Sequence, residues 1–292
     1  MQQKKRMREL INGKATVMMP GAHDALIAKI IERVGFDIVC CVGSGSVNGM
    51  LGLPDVGLAT MTEMVQNAKW IADAVAIPVI ADADTGYGNA LNVMRAISEF
   101  EKAGVAGIHL EDQVFPKKCG HVAGKELIST PEMAGKIRAA VAARRDPDFV
   151  IIARTDAKAV TGLEDAIARA REYVKAGADV IFPEAMESAE EFSLFAKAFP
   201  DVPLMANMTE FGKTPYLTRD EFQALGYRLV VYPNTGFRVM MKAVFEAMEE
   251  LKTAGHQKNL LGRMKTRAEL YDLIEYNRFT AHEKAFIPTG GA

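Results

Sequence analysis

Short apolar runs rich in valine and isoleucine recur along the chain, each separated from the next by a longer stretch with helical spacing. Eight stand out: Ala15–Met19, Asp37–Val42, Pro78–Ala81, Gly107–Leu110, Phe149–Ala153, Asp179–Phe182, Pro203–Ala206 and Arg228–Tyr232. Both faces of each run are apolar, as expected for parallel strands covered by helices on either side. The segment Leu163–Ala176 shows the intervening pattern. It places Ala166, Ile167, Ala170, Tyr173 and Val174 at helical spacing and closes on Lys175-Ala176-Gly177, a basic last turn with a glycine stop. Related turns precede other runs, at Arg33-Val34-Gly35 and Lys102-Ala103-Gly104, so the helix-to-strand junction repeats weakly. Eight such units predict an α/β protein, a (β/α)8 TIM-type barrel. Beyond the eighth run, Arg238–Thr253 and Thr266–Tyr276 read as helices around a polar break, Ala254-Gly255-His256-Gln257-Lys258. The expectation is a single domain over 1–292, with 238–292 forming a C-terminal helical extension.

Composition fits an ordinary soluble protein. Of 292 residues 49% are hydrophobic and 25% charged, and the formal net charge is -2. That charge gives no electrostatic case for nucleic acid or an anionic membrane. No apolar stretch approaches the roughly 20 residues of a membrane span. The basic N-terminus, Met1 to Arg8, lacks the apolar core of a secretory signal. Three cysteines, two of them adjacent at Cys40 and Cys41, make neither a disulfide framework nor a spaced zinc site, which points to a reducing, cytoplasmic setting.

Chemistry gathers at Lys117-Lys118-Cys119-Gly120-His121, just after the fourth run. A thiol beside ammonium groups is stabilised as thiolate, although the same residue types also form a solvated loop around an inert cysteine. Reactive groups of barrels sit where the strands end, because the loops there form the mouth. The third run ends in Asp82-Ala83-Asp84, the fourth in Glu111-Asp112, the fifth in Arg154-Thr155-Asp156, the sixth in Glu184 and the seventh in Asn207-Met208-Thr209. Asp82 and Asp84, two apart, project the same way on a strand and with Glu111 make an oxygen-donor set suited to Mg²⁺, with Mn²⁺ as the alternate. The other reading has Asp84 starting a turn and Asp82 paired with a lysine. Arg154, in an apolar strand, needs an anionic partner. That partner is Glu184, Asp82 or a substrate carboxylate, a role open to Arg238 and Arg267 as well. Together these groups point to an anionic, metal-chelating substrate and a reaction through a carbanion, with the thiol giving or taking the proton.

The stretches Leu51-Gly52-Leu53-Pro54-Asp55, Asp82-Ala83-Asp84-Thr85-Gly86, Lys117 to His121, Ala153-Arg154-Thr155-Asp156 and Asn207 to Gly212 carry a resemblance over nearly the whole chain. It resembles the isocitrate lyase and phosphoenolpyruvate mutase superfamily, most closely its methylisocitrate lyase branch. The resemblance implies a Mg²⁺-dependent carbon–carbon lyase, a homotetramer whose C-terminal helices are exchanged between subunits, acting on a small anionic hydroxy-carboxylate. By motif match Asp82 and Asp84 lie on the metal, with Glu111 supporting them. Cys119 is the acid that protonates an enolate-like product, and Lys117, Gly120 and His121 shape the loop around it. Arg154, Glu184, Asn207, Thr209, Arg238 and Arg267 line the carboxylate pockets. For 2-methylisocitrate the implied products are pyruvate and succinate. The alternatives within the superfamily are 2,3-dimethylmalate cleavage, oxaloacetate hydrolysis and, further off, carboxyphosphonoenolpyruvate mutase chemistry. One segment departs from the pattern: Cys40 and Val42 stand where the branch carries tyrosine and serine, leaving the backbone amides of Gly43 and Ser44 as donors.

Overall fold

In the computed structural model, which describes residues 2–287, every apolar run becomes a strand. They are β1 Val17–Ala22, β2 Val39–Cys41, β3 Val79–Asp82, β4 Gly107–Glu111, β5 Val150–Thr155, β6 Val180–Pro183, β7 Met205–Asn207 and β8 Leu229–Tyr232. All paired strands are parallel, in the order β6-β5-β4-β3-β2-β1-β8-β7, and a parallel bridge from Ile181 to Leu204 joins β6 to β7 and closes the ring. The expected (β/α)8 barrel is the fold.

Strands begin one or two residues later than the apolar runs, except β4, and several extend further. The reason is physical. Pro78 and Asp179 each make only the first backbone bond to a neighbouring strand, from Val39 N–H to the Pro78 carbonyl at 3.0 Å and from Asp179 N–H to the Ile151 carbonyl at 2.9 Å, whereas Asp82, Glu111, Arg154 and Thr155 are polar yet paired within the ladder. The repeated helix-to-strand turns rest on Gly35, Gly104 and Gly177, at φ 101°, 94° and 103°, a region in which side chains with a Cβ are strained.

Two cores result. Cys41, Ala81, Ile108 and Ala153 face the surrounding helices, while Cys40, Ile80, Val150 and Met205 fill the barrel. The adjacent thiols of β2 thus point apart. A helix that the apolar pattern did not reveal, Gln2–Asn12, lays Met7 and Ile11 against the interior cluster. Each such side chain contributes about 1.5–3 kcal/mol on full burial. Arg8 fixes that helix to the N-terminal ends of β5 and β6 through Asp179 at 2.7 Å and the Phe149 carbonyl at 3.1 Å. The opposite, C-terminal ends of the strands form the mouth.

The chain divides into two compact units, the first ending at Phe237 and the second beginning at Arg238. The helix Thr235–Ala254 crosses that point, and the second unit continues through Arg267–Leu273 and Tyr276–Phe286. The expected single helix over 266–276 breaks at Ile274–Glu275, where Glu275 adopts φ 59°. Among the described residues no helix is long and apolar enough to cross a membrane.

Candidate active site

Strand register builds the floor of the mouth. Asp82 lies beside His109, and Glu111 beside Arg154. The Arg154 guanidinium is buried over the Phe182 ring, 5.3 Å from its centroid, which only an anionic cage makes tolerable. Its main partner is Asp156, reached from Nε at 2.9 Å and Nη2 at 3.1 Å. Glu111 at 3.3 Å and Glu184 at 3.4 Å complete the cage. The expected pairing with Glu184 is present but secondary, and Asp82 accepts instead from the Asp84 backbone N–H at 2.9 Å. Burial pushes the Glu184 carboxyl up, but Arg154 and then His121 overcome that and hold it at about 2.

The two aspartates do not form a ready-made metal cage. Among the described residues no group of three or more His, Cys, Asp or Glu side chains is arranged to hold a metal ion. Lys117 Nζ lies 2.9 Å from Asp84 Oδ1 and 2.5 Å from Asp55 Oδ1, so Asp84 rather than Asp82 carries the lysine. Glu111 Oε1 is nonetheless buried without a hydrogen-bond partner, and every nearby acidic donor is a hard oxygen. Mg²⁺ takes few protein carboxylates and completes its shell with water and substrate oxygens, so these residues fit it. Burial, with Asp82 and Asp55 adding to it against Lys117, raises Asp84 to about 6.

Cys119 is exposed at the mouth. Its two neighbouring lysines, expected from sequence to sit on the thiol, are committed elsewhere. Lys117 holds Asp55 and Asp84, and Lys118 donates to the Gly124 carbonyl. Gln113 pins the base of the loop through both backbone groups of Lys118, at 2.8 and 2.9 Å. His121 Nδ1 accepts from the Lys213 N–H at 3.1 Å, which leaves its proton on Nε2, 3.0 Å from Glu184 Oε1. Gly120 has no room for a side chain, because a Cβ there would overlap Glu184 Cγ and Arg154 Nη2.

Across the mouth, Gly43 and Ser44 open the helix Gly43–Leu51, whose N-cap Val42 makes no side-chain cap bond. Uncapped first-turn amides are anion donors by their geometry and dipole. A Cβ at Gly43 would collide with Asp82 Oδ2. Asn234 Nδ2 fixes Ser44 Oγ at 3.0 Å. Burial pushes the Cys40 thiol well up, so at neutral pH it presents an uncharged group where the resemblance places a phenol.

One cleft therefore collects Asp82, Lys117, Cys119, Gly120 and His121 with Gly43, Ser44, Arg154, Glu184, Asn207 and Thr209. Asn207 Nδ2 donates to Glu184 at 3.1 Å. Asp84 and Glu111 stand behind this lining, and Arg238 and Arg267 belong to the second unit. Sequence reasoning missed Asp55, His109, Lys125 and Asp156 as site residues. Asp55 lay in a matching stretch and Asp156 stood two residues after Arg154, so both signals were visible.

The chain matches the phosphoenolpyruvate phosphomutase family over residues 7–252. It is 49% identical over 273 residues to 2-methylisocitrate lyase of Aeropyrum pernix, covering 94% of this chain and 87% of that one. It is 50% identical over 269 residues to 2,3-dimethylmalate lyase of Eubacterium barkeri, covering 92% and 93%. The crystal structure of a 2,3-dimethylmalate lyase, a member of the phosphoenolpyruvate mutase/isocitrate lyase superfamily, superposes with a TM-score of 0.93 at 35% identity, covering 100% of this chain and 99% of that one.

Proposed function

Since the chain belongs to the phosphoenolpyruvate phosphomutase family and is a carbon–carbon lyase of the methylisocitrate lyase type, we propose that it cleaves 2-methylisocitrate to pyruvate and succinate. The observation that carries this reading is the meeting of the Cys119 loop, the Arg154–Glu184 pair and the Asp82–Asp84 carboxylates at one barrel mouth. Arg154, Asn207, Thr209 and the amides of Gly43 and Ser44 bind and orient the substrate carboxylates. The apolar floor of Val42, Met205 and Val231 accommodates the methyl group. Cleavage breaks the bond between the hydroxyl-bearing carbon and its neighbour. The hydroxyl-bearing carbon becomes the pyruvate carbonyl as its O–H proton is released to solvent, and the electron pair of the broken bond stays on the succinate fragment as an enolate-like carbanion. The Cys119 thiol supplies the proton to that carbon. His121 and Lys117 hold the loop and the acidic rim in place. Mg²⁺ held by Asp82 and Asp84, with Glu111 behind them, would polarise substrate oxygens and stabilise negative charge, and Mn²⁺ would serve likewise.

Metal affinity should follow Asp84. Its carboxylate takes up a proton as the pH falls through about 6, and a protonated carboxyl is a poor ligand. Calorimetric titration with Mg²⁺ alone should give weaker binding below that pH than above it. Equal affinity on both sides would remove Asp84 from the metal site.

Cleavage of 2,3-dimethylmalate is the second reading, supported by the comparable identity to the Eubacterium barkeri enzyme. Turnover of each hydroxy acid, followed as pyruvate release, separates them: 2-methylisocitrate should have the higher kcat/KM, and turnover of dimethylmalate alone would reverse the assignment. We place the enzyme in the cytoplasm as a homotetramer with exchanged C-terminal helices. The second unit supports this by leaving Val239, Phe245 and Phe279 65%, 66% and 67% exposed. Light scattering behind a sizing column should report four subunits, and a monomer would contradict it.

A further inference from the structure

Lys125 has no part in the reaction as described, yet its ammonium is buried behind the lining of the site. The side chain is 2% exposed, and Nζ donates to Asp156 Oδ1 at 2.7 Å. A buried ion pair of this kind can simply be part of the fold. Two further contacts make this one different. Nζ also donates to the backbone carbonyl of Gly120, the residue next to Cys119. Asp156, in turn, is the carboxylate that grips Arg154 through Nε and Nη2. One ammonium therefore ties the loop that carries the thiol to the counter-ion that sets the guanidinium. Gly120 meanwhile rests directly against Arg154 and Glu184 with no space for a Cβ, so the seated loop abuts the clamp.

We propose that Lys125 is a positioning residue that seats the Cys119 loop on the Arg154–Asp156 pair, so that the proton donor and the carboxylate clamp are placed together. Without the ammonium, the Gly120 carbonyl and Asp156 each lose a charge-assisted hydrogen bond in a buried setting, and the loop opens more often. The kinetic consequence rests on the lyase reading. The geometric one does not.

The test uses the full-length enzyme, the variants Lys125→Met and Lys125→Gln, and hydrogen–deuterium exchange of the loop read by mass spectrometry. In the seated loop the Lys118 amide donates to Gln113 Oε1 and the Val122 amide to the Cys119 carbonyl, each at 2.9 Å. In a folded variant the exchange of these amides should accelerate by about tenfold, the population change expected for losing one charged hydrogen bond. The same variant should lose kcat by a larger factor than its KM changes. Exchange at or below the wild-type rate in a folded variant overturns the proposal. So does failure of both variants to fold, which would make Lys125 purely structural. If the wild-type enzyme cleaves neither hydroxy acid but the loop of the variants exchanges faster, the lyase reading fails and the positioning role stands.

Discussion

Cys119→Ser should lower kcat by roughly 10²–10⁴-fold, the range a positioned general acid contributes, and leave KM little changed. The thiol meets the substrate only when the carbanion needs its proton, so its loss falls on the chemical step. A serine hydroxyl has nearly the same shape but is a far weaker acid. Cys119 is exposed and lies outside both apolar cores, so thermal stability should stay within about 0.5 kcal/mol of wild type. The other two thiols are buried and cannot substitute for it: Cys41 faces the helix layer, and burial raises it to about 12. A serine variant with full kcat would remove the thiol from the mechanism.

Arg154→Met should damage both activity and fold. Removing the guanidinium leaves Glu111, Asp156 and Glu184 without the cation they share. Asp156 keeps Lys125 and Glu184 keeps His121, but no ion pair to Glu111 from another cation is found among the described residues. Breaking a buried pair from one side typically costs about 3–5 kcal/mol. Part of that loss depends on pH. The folded pKa of Glu184, about 2, lies below its ordinary value of 4.5. In the wild type its stabilisation is thus complete above pH 4.5 and is lost as the pH falls towards 2. In the variant that term shrinks, so the stability deficit should be largest near neutral pH and narrow under acid, as measured by urea unfolding. A deficit unchanged between neutral and acid pH would show that Arg154 is not what keeps Glu184 ionised.

The barrel was legible because a parallel strand buried on both faces must be apolar throughout, and the rim was legible because those runs end on polar residues. Asp82, Glu111, Arg154, Glu184 and Asn207 all mark strand ends, and one cleft either includes them or backs onto them. What the residue order could not show was how charges pair across distance. Lys117 adjoins Lys118 and Cys119 in sequence but reaches Asp55, 62 residues away. Lys125 reaches Asp156 across 31. Neither separation has a periodic signature, because loop geometry sets it. His109 reads as one polar position in an apolar strand, and only the β3–β4 register sets it opposite Asp82. The glycines at 43 and 45 disguise a helix start, since their low helix propensity is overridden by the need to pass close to Asp82 and Asn234.

The central claim is carbon–carbon cleavage with protonation of the released carbanion by Cys119. Its most direct test is to run the Mg²⁺-supplied enzyme on 2-methylisocitrate in D₂O and examine the products by NMR and mass spectrometry. The expected result is equal amounts of pyruvate and succinate, with one solvent deuterium per succinate at the carbon released by cleavage, and near-complete loss of both products in Cys119→Ser. Succinate formed without deuterium, or no cleavage at all, would contradict it.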